Sequence, residues 1–198
     1  IFRDDTRPEE TRLFSADTLA EYQGDEPEGL FDLLADAEQK QFPIFFEKLV
    51  KHRRQAIALG NTEITKSLPQ DAPDGDKEAL AIRQANAAVM LLMMKAPTQV
   101  WPLLKHSPGS LRTRSYIIHR LSPLGGDPQT IISRFQQESD VTIKRALLLC
   151  LGEFNESQLT KNERTGLTDD LLILYRNEPD AGLHGACEWL LRQWGHAK

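Results

Sequence analysis

Three stretches in the second half of the chain repeat one plan: a short apolar helical run, a polar turn, then a second helical run. They read QVWPLLKHSPGSLRTRSYIIHRLSPLG over residues 99–125, TIISRFQQESDVTIKRALLLCLGEF over 130–154, and DLLILYRNEPDAGLHGACEWLLRQWG over 170–195. Aligned at the turn, Leu111, Ile143 and Leu183 fall at one position, followed by Arg112, Lys144 and His184. A two-helix unit cannot bury its apolar face alone, so units of this kind close a core only by stacking on neighbours. The turns carry suitable residues. Ser107-Pro108-Gly109, Ser139-Asp140 and Pro179-Asp180 supply caps and prolines where a second helix begins. An insertion around residues 155–165 makes the spacing unequal.

Helical periodicity governs the rest of the chain as well. Residues 1–14 are charged and weakly patterned, and are expected to form a frayed lead-in. An N-terminal helical part is expected over 15–67, beginning with a helix from Ser15, the N-cap, to Tyr22. Further helices follow from Pro27, from Lys40 to His52 and from Arg53 to Lys66. Residues 68–76 read as a loop, because two prolines, a glycine and three aspartates do not continue a helix. A long helix from Lys77 to Lys95 opens the repeat region, expected over 77–198. Valine and isoleucine occur in helix-period runs, and no Asn-Gly or Asp-Gly turn separates two alternating runs. The expectation is therefore an all-α chain, a HEAT-like α-solenoid of stacked antiparallel helix pairs. DVTIKRALLLCLGEF carries the general second-helix pattern of such repeats: an acidic turn residue, a basic pair, and an apolar run ending in Leu-Gly.

The formal charge of −5 argues against a general nucleic-acid binder, which is normally basic. The charge is split. Residues 1–76 hold nine Lys/Arg against seventeen Asp/Glu, a net of −8, and residues 77–198 hold fifteen against twelve, a net of +3. Such a split suggests two surfaces with different partners, or two parts that attract each other. Cys150 and Cys187 lie far apart within apolar runs, which reads as two buried thiols in a reducing cytoplasm rather than a disulfide framework. No apolar run approaches the roughly 18 residues that span a bilayer, so no membrane partner is expected. The chain opens at Ile1 without a methionine, which suggests a fragment of something longer.

In stacked helical repeats the second helices line the concave face. Arg112, Arg114, Arg120, Lys144, Arg145 and Arg192 all fall on these helices and are the candidate partner-binding residues. Three readings of them stay open: a solvated polar face, a basic groove for an acidic protein segment, or a nucleic-acid surface. The net charge and the absence of interleaved aromatics weigh against the last.

Chemistry-bearing patterns are missing. The five histidines show no HExxH and no Cys/His spacing for zinc. Asp71, Asp74 and Asp76 near Gly75 lack the alternation and closing glutamate of a calcium loop. Glu153 and Glu156 flank a helix end with nothing to act on, and no nucleophile sits beside a base. Neither catalysis, a cofactor, a metal nor a small-molecule substrate is expected. Trp101, Trp189, Trp194 and the run Val89–Met94 read as core packing.

Residues 83–128, 139–154 and 174–195, together with LADAEQKQFPIFFEKL over 34–49, resemble a HEAT-like region of large planctomycete-type multidomain proteins. In that family the region lies beside a formylglycine-generating-enzyme-like (sulfatase-modifying-factor) domain, often with a Ser/Thr protein kinase domain. The likeness covers residues 15–195 and carries no catalytic residue, since neither the kinase motifs nor a copper-binding cysteine pair occurs here. It implies a non-catalytic module that positions neighbouring domains or docks a protein partner, or an autoregulatory arm of an attached enzyme.

Overall fold

The computed structural model describes residues 1–107 and 111–196, and no strand occurs among them. The all-α expectation holds. Two compact units form, one from Ile1–Val100 with Pro123–Gly126, the other from Trp101–Ser122 with Asp127–Lys198.

The first unit contains α1 (Glu9–Tyr22), α2 (Pro27–Ala35), α3 (Phe42–Leu49), a 3-10 turn at Val50–His52, α4 (Arg53–Ile64) and α5 (Asp74–Met93). Its N-terminal residues are not frayed. Phe2 is buried edge-on to Phe45 at 5.2 Å between ring centroids, and Gln41 Nε2 donates to the Phe2 carbonyl at 3.3 Å. α1 starts at Glu9 after Pro8, and Ser15 lies mid-helix with its hydroxyl donating back to Thr11. The sequence pattern is weak there because only two small residues, Ala16 and Ala20, are fully buried on α1. Burying two alanines removes little apolar surface, so no strong stripe appears in the sequence.

α5 begins at Asp74, inside the expected loop, and packs on α2 and α4. The compact units therefore do not divide near residue 76. Buried amides on α5 tie it to both neighbours. Asn86 Nδ2 donates to the carbonyls of Leu34, Ala35 and Ala37 at the end of α2, at 3.2, 2.8 and 2.9 Å. Gln84 Nε2 donates to Lys66 O at 2.8 Å, beyond the end of α4. Helix ends leave carbonyls without intrahelical partners, and these amides satisfy them where water cannot. Arg83 bonds Asp32, Asp36 and Glu63 at 2.9, 2.6 and 2.9 Å. Burial works against its charge, but the bonds to Glu63 and Asp36 outweigh that and hold its pKa above the ordinary guanidinium value.

The second unit contains a 3-10 turn at Trp101–Leu104, then α6 (Leu111–Leu121), α7 (Pro128–Gln137), α8 (Val141–Gly152), α9 (Lys161–Asn177) and α10 (Ala181–Gln193). Two hairpins in it are built from the same parts. Glu138 follows α7 and Glu178 follows α9, both extended, and Asp140 and Asp180 come after them with φ −75° and −74°. Each aspartate caps the next helix, Asp140 accepting from Thr142 N and Ile143 N, Asp180 from Leu183 N. Each glutamate folds back onto the turn, Glu138 accepting from Asp140 N at 2.8 Å and Glu178 from Asp180 N at 3.2 Å. The caps expected at Ser139-Asp140 and Pro179-Asp180 thus exist. Pro108 and Gly109 of the first turn lie outside the described residues.

The first repeat departs from the expected alignment. Its first run forms only a 3-10 turn, and Leu111 is 43% exposed where Ile143 and Leu183 are buried. Burial on α8 begins at Ile143 and continues at Ala146, Leu147, Cys150 and Leu151. The same steps on α6 run from Arg114 through Ile117, Ile118 and Leu121, ending on Ser122 just after the helix. Thr113 and Arg114, not Leu111, are buried in the first turn. The insertion is structured too: Asn155 starts a turn, accepting from Ser157 N and Gln158 N, and α9 starts at a Thr160–Glu163 capping box.

Candidate functional site: the cations of the second unit

The six candidate residues sit on α6 (Arg112, Arg114, Arg120), α8 (Lys144, Arg145) and α10 (Arg192), the second helices of the repeats. They do not make one open row. Arg114 is only 9% exposed, and its Nε donates to Leu104 O at 2.9 Å, where the 3-10 turn ends. Its Nη2 reaches Thr142 O at 3.4 Å, in the first turn of α8. Burial pushes its pKa down, and the charge of Arg145 adds to that. Arg114 therefore lies at a joint between the 3-10 turn and α8 rather than on an open groove.

Arg145 is half-buried, with its guanidinium against Gly182 in the first turn of α10. A Cβ at position 182 would meet Nη1, the flexible end of Arg145, which would have to shift. Arg192 is exposed and donates to Glu188, one turn earlier on its own helix, at 2.5 Å. Arg112 is exposed in the first turn of α6, while Arg120 and Lys144 are half-buried.

Other chemistry-bearing residues are engaged in structure. Cys150 and Cys187 are free and buried, and burial pushes their thiols up to about 12 and about 11. Neither carries thiolate near neutral pH, and the thiolate is the reactive form. Glu153 Oε1 lies 2.9 Å from His119 Nδ1, while Glu156 lies 3.8 Å from Arg164. Among the described residues no group of three or more His, Cys, Asp or Glu side chains is placed to hold a metal ion. No described helix is long and apolar enough to cross a membrane. Trp101 is buried under the Arg134 guanidinium at 5.5 Å, and Trp194 is half-buried under Arg164 at 5.7 Å.

Two surfaces were not singled out by the sequence. One is a cleft of about 530 Å³ between α9 and α10, with Leu172, Tyr175 and Leu191 inside and Arg176, Arg192 and His196 among its polar lining. The other is a cleft of about 520 Å³ over α1, lined by Phe2, Phe14, Thr18 and Leu19 among others. A faint signal for the first is visible 40 positions upstream. Glu188 and Arg192 stand where α8 has Leu148 and Gly152.

Comparison with protein-family models, with curated proteins and with solved structures finds no match to this chain.

Proposed function

We propose that this chain is a non-catalytic protein-interaction or spacer module, a HEAT-like stack of helix pairs that positions neighbouring domains or docks an acidic protein segment. The observation that carries this reading is the hairpin built twice from the same parts. Glu138 and Asp140 recur as Glu178 and Asp180 with the same capping bonds, and Ile143 recurs as Leu183 in the same buried place. Recurrence of a whole turn with its helix phases is the physical mark of a repeat array, whose usual work is to offer extended surfaces to other chains. Arg112, which is exposed, and Arg120 and Lys144, which are half-buried, carry positive charge that suits an acidic partner. Arg114 and Arg145 hold helices, and Arg192 belongs to the cleft between α9 and α10.

The test is fluorescence anisotropy with a labelled glutamate-rich helical peptide at low salt, beside a labelled DNA duplex. Binding of the peptide that Arg112→Glu with Lys144→Glu abolishes, in a protein of unchanged helicity, supports docking. Binding of the duplex but not the peptide moves the reading to a nucleic-acid surface. Binding of neither leaves a spacer.

A further inference from the structure

Within the second unit, the groove between α7 and α8 shows what a pair of adjacent helices of this kind receives. α10 lies on α8 with the Trp189 ring over Gly152, and Gln129 of α7 donates to Glu163 of α9 at 2.6 Å. A groove of this shape is thus covered by a helix carrying a large aromatic side chain. The corresponding groove between α9 and α10 is open. Stepping 40 residues, Ile132 becomes Leu172, Phe135 becomes Tyr175 and Leu151 becomes Leu191, so the apolar floor is kept. Leu148 and Gly152 become Glu188 and Arg192, and Arg176 and His196 join the rim. Glu188 is paired with Arg192, so Arg176 leaves the rim with a net positive charge.

The complementary surface lies on α1. Tyr22 and Phe14, at 84% and 74%, are the two most exposed large apolar side chains among the described residues. They sit eight residues apart on the outer face of a helix whose buried residues are Ala16 and Ala20, with Thr18 between them. Exposed Glu10 and Asp17 flank this stripe. A helix that turns its two aromatics outward and its alanines inward presents an apolar patch to solvent, and such a patch marks an interaction site.

We propose that α1 of one copy seats Phe14 and Tyr22 in the α9–α10 groove of a second copy, with Glu10 and Asp17 against Arg176 and Arg192. Leu172, Tyr175 and Leu191 offer apolar surface on which the aromatics can be buried, and the rim charge is opposite to that of the incoming helix. The contact joins two different surfaces, so it is heterologous and propagates head to tail unless a ring closes. It uses none of Arg112, Arg120 or Lys144, so it stands or falls independently of the acidic-segment site.

Sedimentation velocity tests it over a concentration range reaching roughly 200 µM, at which contacts of micromolar strength are populated. The parent chain is expected to associate with rising concentration, and to do so less at about 500 mM salt than at about 50 mM, where screening is weak. Two variants decide the geometry: Phe14→Asp with Tyr22→Asp, which disables the helix, and Arg176→Glu with Arg192→Glu, which disables the groove. All four positions are exposed or rim residues, and circular dichroism confirms that each variant keeps its helices. Each variant alone is expected to stay monomeric, with at least about tenfold weaker association than the parent, equivalent to about 1.4 kcal/mol. Their equimolar mixture is expected to form a 1:1 complex, because one good helix then meets one good groove. A parent that stays monomeric throughout, variants that associate as the parent does, or a mixture that stays monomeric would each overturn the proposal.

Discussion

The six-membered ring of Trp189, on α10, lies over Gly152, the last residue of α8, so closely that a Cβ on Gly152 would overlap it. An indole is rigid and has no flexible end to swing away, so this contact sets how near the two helices come. Gly152→Ala is expected to destabilise the second unit by about 1–3 kcal/mol, the usual cost of overpacking. The measurement is urea unfolding followed by tryptophan fluorescence. An unchanged midpoint would mean that the helices can separate freely.

Arg114 and Lys144 should respond unequally to loss of charge. Arg114→Met leaves Leu104 O without its 2.9 Å donor in a buried place, and is expected to cost roughly 1–3 kcal/mol. Lys144→Met, at a half-buried site, is expected to stay within about 0.5 kcal/mol. Equal losses would show that Arg114 acts on the surface rather than at the joint.

Asn86 carries three carbonyls with one amide group. Asn86→Asp removes both protons and places an acceptor against acceptors. It is expected to destabilise the first unit more than Asn86→Ala does, by roughly 1–3 kcal/mol. Thermal melts of the two variants, read at acidic and neutral pH, test this order. The aspartate variant should recover partly in acid, where the carboxyl regains a proton.

Stability should fall in acid for a stated reason. The Thr142 hydroxyl and then Lys105 hold Asp140 well below the ordinary carboxylate range. Burial raises Glu138 and Glu63, but hydrogen bonds from Asp140 N and Arg134, and from Arg83 and Lys66, outweigh it and leave both low. A folded-state pKa below the unfolded one contributes stability that is complete above the unfolded value and is lost as pH drops through the folded one. Urea midpoints should therefore decline from about pH 5 downward. Asp140→Asn, which keeps a capping oxygen, should give a shallower decline.

Both thiols should resist labelling in the folded protein. With thiol pKa values pushed to about 12 and about 11, a disulfide reagent near pH 8 meets almost no thiolate and no access. Slow reaction of both cysteines in the native state and rapid reaction in urea is the expected pair of outcomes. Fast labelling of one thiol in the native state would place it outside the core.

What the sequence determined by itself was the helical character of the second half and the two aspartate caps that start α8 and α10. Asp140 and Asp180 precede apolar runs of helical period, and that local pattern is enough, because capping and periodicity are interactions between near neighbours. Burial of Cys150, Cys187 and the Met90 region was readable for the same reason. Tertiary structure alone decided the rest. Arg114 looked like one more surface cation, and only the approach of Leu104 and Thr142 put its guanidinium inside. Phe2 looked frayed until Phe45 and Gln41, about forty positions on, covered it. α5 joined the first unit because Gln84 and Asn86 meet the ends of α4 and α2. Each of these facts depends on partners distant in sequence, and a polar residue carries no local sign of whether such a partner will arrive.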